Sequence, residues 1–157
     1  MKVELKDQKW KGTSINFGLL AGVLMTALLF ILSLLGISNG IGITLVGLLV
    51  LAPILGYMVK KIYRIDRRNN FRRGIEAGLT LTAVAGLING VGNFIIYTIQ
   101  TNYSNNVDPL STLGFGDLMV LSMGVFIATI VTGLIITFIW LQLFKTKSAD
   151  NDFSTIE

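Results

Sequence analysis

Residues 12–59 read GTSINFGLLAGVLMTALLFILSLLGISNGIGITLVGLLVLAPILGYMV, without a single Asp, Glu, Lys or Arg. A membrane-spanning helix needs about 20 apolar residues, so this run is too long for one crossing and suits two. The cluster Gly36-Ile37-Ser38-Asn39-Gly40 divides it, because glycine, serine and asparagine favour turns. Helices are therefore predicted over 15–35 and 41–62. At 1.5 Å per residue each is roughly 32 Å long, close to the thickness of the hydrocarbon core. Pro53 falls inside the second, where a kink is expected because proline cannot donate to the carbonyl one turn back.

Two further uncharged stretches, 77–107 and 118–144, extend the pattern. They predict helices over 74–100 and 117–144, with Asp117 as an N-cap whose charge suits the positive end of the helix dipole. The fold class expected is all-α: an integral membrane protein with four transmembrane helices forming one domain, 1–147. Residues 148–157 read as a short polar tail that frays. Composition agrees, since 52% of the 157 residues are hydrophobic and 14% charged, against roughly 25% charged in soluble domains.

The chain has no Cys and no His. That removes disulfides, thiolate or imidazole metal sites and the Ser-His-Asp arrangement. No convergent set of acids, bases and nucleophiles remains, so an enzyme is not expected, and no cofactor or metal is implied.

All 13 Lys and Arg residues fall in three segments. Lys2, Lys6, Lys9 and Lys11 precede the first helix. Lys60, Lys61, Arg64, Arg67, Arg68, Arg72 and Arg73 lie between the second and third, and Lys145 and Lys147 follow the fourth. With four crossings these segments share one side, which the positive-inside rule makes the cytoplasm, with both termini there. Glu4 and Asp7 among the N-terminal lysines, and the lack of an A-x-A site, point to a retained anchor instead of a cleaved signal. The net charge of +4 is thereby explained by orientation, without nucleic acid. The central basic run is also placed to contact anionic headgroups, at about 1 kcal/mol per residue. Glu76, three and four residues after Arg73 and Arg72, is expected to form an interfacial ion pair.

Helix three carries Gly74, Gly78, Thr82, Gly86 and Gly90 at intervals of four, along one side of the helix. In lipid, small residues let helix backbones approach closely. The ridge is read first as packing within the protomer, with Gly18 and Gly22 of helix one as partner surface, and second as a homo-oligomer or partner-helix contact. Asn89 and Asn93 lie beside it. Their carboxamides need partners inside a bilayer, and Thr129, Thr132 and Thr137 either answer them or bond to the carbonyls four residues back on their own helix. The alternative for the two asparagines is a polar cavity or solute path.

The segment Thr112-Leu113-Gly114-Phe115-Gly116-Asp117 resembles the potassium-channel selectivity filter, T-x-G-[Y/F]-G-D. That resemblance implies carbonyls of Thr112, Leu113, Gly114, Phe115 and Gly116 turned toward one axis in an oligomer. The preceding Asn102-Tyr103-Ser104-Asn105-Asn106-Val107-Asp108-Pro109 departs from it, being loop chemistry where a pore helix should stand.

Over about 11–108 the chain resembles a family of small bacterial four-helix membrane proteins known as a domain of unknown function. The resemblance lies in Asn16-Phe17-Gly18-Leu19-Leu20-Ala21-Gly22, Tyr63-Arg64, Phe71, Gly74-Ile75-Glu76-Ala77-Gly78-Leu79 and Asp108-Pro109. It implies four helices and a bacterial inner membrane, and it supplies no activity. The function expected is a non-enzymatic assembly or accessory membrane protein; the alternative is a potassium-selective pore lined by 112–117.

Overall fold

The computed structural model describes residues 2–35, 40–65, 70–103 and 114–153, and the side chains within 10–35, 45–62, 71–100 and 114–144. Four helices follow in order: α1 (Lys2–Leu34), α2 (Gly40–Ile65), α3 (Asn70–Tyr103) and α4 (Phe115–Phe153). Among the described residues there is no strand. Every helix holds a segment long and apolar enough to cross a membrane: Trp10–Leu34, Leu45–Ile62, Phe71–Gln100 and Phe115–Phe144. The chain is an all-α integral membrane protein.

The helices outrun the predicted spans at most ends. Hydropathy marks the part that sits in lipid, whereas a helix persists until a breaker stops it. No glycine or proline precedes Gly12, and α1 begins at Lys2. None follows Gly133 either, and α4 runs on to Phe153, into the segment read as a tail. At its start α4 opens two residues before Asp117. α2 continues through Pro53, which faces outward. Residues 36–39 of the proposed turn, and the end of the tail, 154–157, lie outside the described residues.

Residue pairs fix the directions of the helices. Phe17 meets Tyr57 and Gly47 lies beside Met25, so α1 and α2 are antiparallel. Gly18 faces Leu81 and Gly92 faces Thr26, so α1 and α3 run parallel. Gly74 faces Leu141 and Gly90 faces Ser122, so α3 and α4 are antiparallel. Round the bundle the order is α1, α2, α4, α3, with α2 touching α3 across the shorter diagonal. Among the described residues α1 and α4 do not touch.

The apolar core occupies the half of the bundle nearer the basic segments. Ala21, Met25, Leu51, Leu55, Met58, Ala77, Leu81 and Ala85 form it, with Trp10, Phe17 and Trp140 packed against them. The outer surface carries large aliphatic and aromatic side chains such as Leu19, Val23, Phe30, Leu49, Val91 and Ile135. That distribution suits a chain whose surroundings are lipid tails, as apolar as the core itself.

Candidate functional site

α3 is the helix that positions everything else, because it presents small residues on two faces. The face Gly74, Gly78, Thr82, Gly86, Gly90 closes against α4 in antiparallel register. Leu141 covers Gly74, Thr137 covers Gly78 and Phe126 covers Gly86 and Gly90. The fit is reciprocal, since Thr82 of the ridge in turn fills the space over Gly133 of α4. A Cβ on Gly86 would come within 3.1 Å of the Phe126 carbonyl oxygen. At this distance the two backbones gain dispersion contacts that larger residues would prevent.

Gly18 and Gly22 of α1 meet a different face of α3. A Cβ at Gly18 would lie 2.7 Å from the Leu81 carbonyl oxygen, and one at Gly22 would lie 2.9 Å from that of Ala85. The structure therefore puts α4, not α1, on the small-residue ridge. The reason is angular: Leu81 and Ala85 lie on a different side of the helix from Gly78, Thr82 and Gly86.

Asn89 and Asn93 are buried within the bundle, at 0% and 3% exposure. The Asn93 amide donates to the Asn89 backbone carbonyl at 2.8 Å and to Asn89 Oδ1 at 3.1 Å. Asn89 Nδ2 donates across to Thr129 Oγ1 at 3.3 Å, while that hydroxyl donates to the Val125 carbonyl at 2.8 Å. Thr137 turns back on its own helix, donating to the Gly133 carbonyl at 2.7 Å. Thr132 takes a third part, lining a cavity of about 280 Å³ together with Asn89, Thr129, Tyr97, Met25, Gly47, Leu51 and Gly124. Trp140 lies on Gly56 where α2 and α4 meet near the basic end, and the cavity lies farther from that end, lined on α2 by Gly47 and Leu51.

Trp140 was given no role by the sequence. Its indole N–H donates to the Ala52 carbonyl at 2.9 Å, its ring lies over Gly56 and it stacks on Phe144 at 5.7 Å. The available signal was a glycine in α2 and a tryptophan near the basic end of α4, a pairing that requires knowing which helices are neighbours. At the same end Arg72 Nε donates to Glu76 Oε1 at 2.9 Å. Both groups are exposed, so this pair contributes at most about 1 kcal/mol. Lys60 and Lys61 are exposed and Arg73 is half-buried, while Arg67, Arg68 and the side chain of Arg64 lie outside the described residues.

At the opposite end Gly114 precedes α4, and Phe115 and Gly116 form its first turn. Gly114 acts as the cap, its carbonyl accepting from the Asp117 and Leu118 amides at 3.1 and 3.2 Å. Asp117 stands at the third helical position, not at the N-cap, and its carboxylate accepts from the Gly114 N–H at 3.0 Å, one half of a capping box. Phe115 packs edge-on against Phe94 of α3, centroids 5.4 Å apart. The carbonyls of Phe115 and Gly116 thus run along the axis of α4. Thr112 and Leu113 lie outside the described residues.

The family described as "Protein of unknown function (DUF4199)" has a model that matches residues 16–108, more than half of the chain. The chain belongs to the DUF4199 family. The DUF4199 match takes in α2, all of α3 with its ridge and asparagines, and α1 from Asn16. The α4 wall of the cavity, with Thr129 and Thr132, lies beyond the matched DUF4199 residues. No curated protein and no solved structure matches the chain.

Proposed function

We propose that this DUF4199 protein is a non-enzymatic accessory or assembly component of a bacterial inner membrane. In this reading both termini are cytoplasmic and the basic end rests on anionic headgroups. The observation that carries it is how the buried polar groups are used. Asn89, Asn93, Thr82, Thr129 and Thr137 bond to one another or to helix carbonyls. They are all neutral, and among the described residues no acid or base is hydrogen-bonded to them. Asn89 to Thr129 fastens α3 to α4, and the other bonds satisfy each group within its own helix, as suits polar residues that serve packing. The outward aliphatic surface is then left to lipid and to the helices of a partner membrane protein.

A potassium-selective pore is the competing reading, and it needs the carbonyls of 112–116 aimed at a common axis. The helical setting of Phe115 and Gly116 favours the accessory role. Purified protein reconstituted into vesicles distinguishes the two. Potassium flux equal to that of protein-free vesicles is expected; robust, barium-sensitive potassium flux overturns the accessory reading.

A further inference from the structure

We propose that the cavity between α2, α3 and α4 binds the polar end of a neutral amphiphile drawn from the bilayer, one bearing carbonyl or hydroxyl oxygens. This goes beyond the accessory role and does not depend on it. Thr132 and Tyr97, both half-buried, line the cavity and make no hydrogen bond among the described residues. A bilayer core offers no water to satisfy them, and an unsatisfied polar group there costs several kcal/mol. An occupant that accepts from the phenol and the hydroxyl removes that cost.

The lining decides the charge of the occupant. Among the described residues no Asp, Glu, Lys or Arg borders the cavity. A buried carboxylate, phosphate or ammonium would have no counter-charge, which is strongly unfavourable in this medium. Size and access restrict it further. About 280 Å³ is the volume of about nine waters at ~30 Å³ each, enough for a glycerol ester head and too small for a whole phospholipid. Gly124 and Ala128 of α4 are exposed on this side, and a Cβ at Gly124 would meet nothing within 4 Å. An acyl chain can therefore remain in the lipid while the head enters between α2 and α4.

The test uses the full chain in nanodiscs with two photoreactive probes of equal length. One is a monoacylglycerol with a diazirine beside the ester; the other is an alkyl sulfonate with its diazirine at the same depth. The monoacylglycerol should label residues 121–132 at least about tenfold above the sulfonate, and excess unlabelled monoacylglycerol should compete. Ala128→Phe, which fills the cavity from an exposed position, should reduce this labelling about tenfold. The double variant Tyr97→Phe with Thr132→Val keeps the volume and removes the two hydroxyls, and should reduce labelling about fivefold, as expected for two modest hydrogen bonds in lipid. Equal labelling by both probes, labelling spread evenly over the lipid-facing surface, or full labelling of the double variant overturns the proposal.

Discussion

Thr82 of α3 sits over Gly133 of α4, its methyl and Cβ filling the space that a side chain at 133 would need. One turn nearer the basic end the roles reverse, with Thr137 of α4 lying over Gly78 of α3. Two helices that exchange a threonine for a glycine in this way can slide or separate only by losing both fits at once. Gly133→Ala should therefore lower stability by about 1–3 kcal/mol, the usual penalty for overpacking a filled site. Thr82→Gly in the same chain should recover part of that loss. A double-mutant cycle read by thermal unfolding in detergent should give a coupling of about 0.5–3 kcal/mol. Simple additivity would mean that the two residues do not touch.

Trp140 ties α4 to α2. Trp140→Phe keeps a ring over Gly56 but deletes the donor to the Ala52 carbonyl, so a loss of about 1 kcal/mol is expected. Gly56→Ala should do more damage, because its Cβ would stand 2.6 Å from the indole Cε2. Hydrogen exchange should show the effect of both substitutions chiefly in α2, with α3 protected as before.

The hydrogen bond from Asn89 to Thr129 spans α3 and α4 in the middle of the membrane segments. Thr129→Val removes the acceptor and leaves the shape. Interhelical hydrogen bonds in lipid average about 0.6 kcal/mol, so the loss should be near 1 kcal/mol or less. A loss well above this would mean that the asparagine pair depends on Thr129 for its position as well as for its bond.

The four crossings were legible because charge is excluded from lipid, and the gaps between charged residues outline the spans directly. Helix ends such as Lys2 and Phe153 were not, since hydropathy is silent about helix that continues into water. The small face of α3 could be read from its interval of four, but its partner could not. Gly18 and Gly22 were equally plausible on spacing, and only the order of helices round the bundle puts α4 on the ridge. The same missing information hid Trp140 and the cavity. Each is formed by residues of different helices, and no interval within one helix encodes them. Asp117 shows a local version of the limit. The sequence marks a helix start there, and the backbone decides whether the carboxylate caps from the first position or reaches back from the third.

Sidedness can be read with single cysteines, because the chain contains none of its own. Gly116→Cys lies at the exposed start of α4, where an added Cβ meets nothing within 4 Å, and Lys60→Cys lies exposed at the basic end of α2. In sealed cells an impermeant maleimide should label position 116 and spare position 60 until the membrane is opened. The reverse pattern would place the basic segments outside and invert the proposed orientation.

Because the ridge on α3 is closed by α4 of the same chain, one chain should be a complete packing unit. The most direct measurement is the mass of the protein in lipid nanodiscs formed with excess empty discs. The account predicts a single chain of 17.1 kDa per disc, unchanged by Gly86→Cys with Thr129→Cys, whose oxidation should link α3 to α4 within that chain. A stable tetramer, or disulfides that form only between chains, would contradict it.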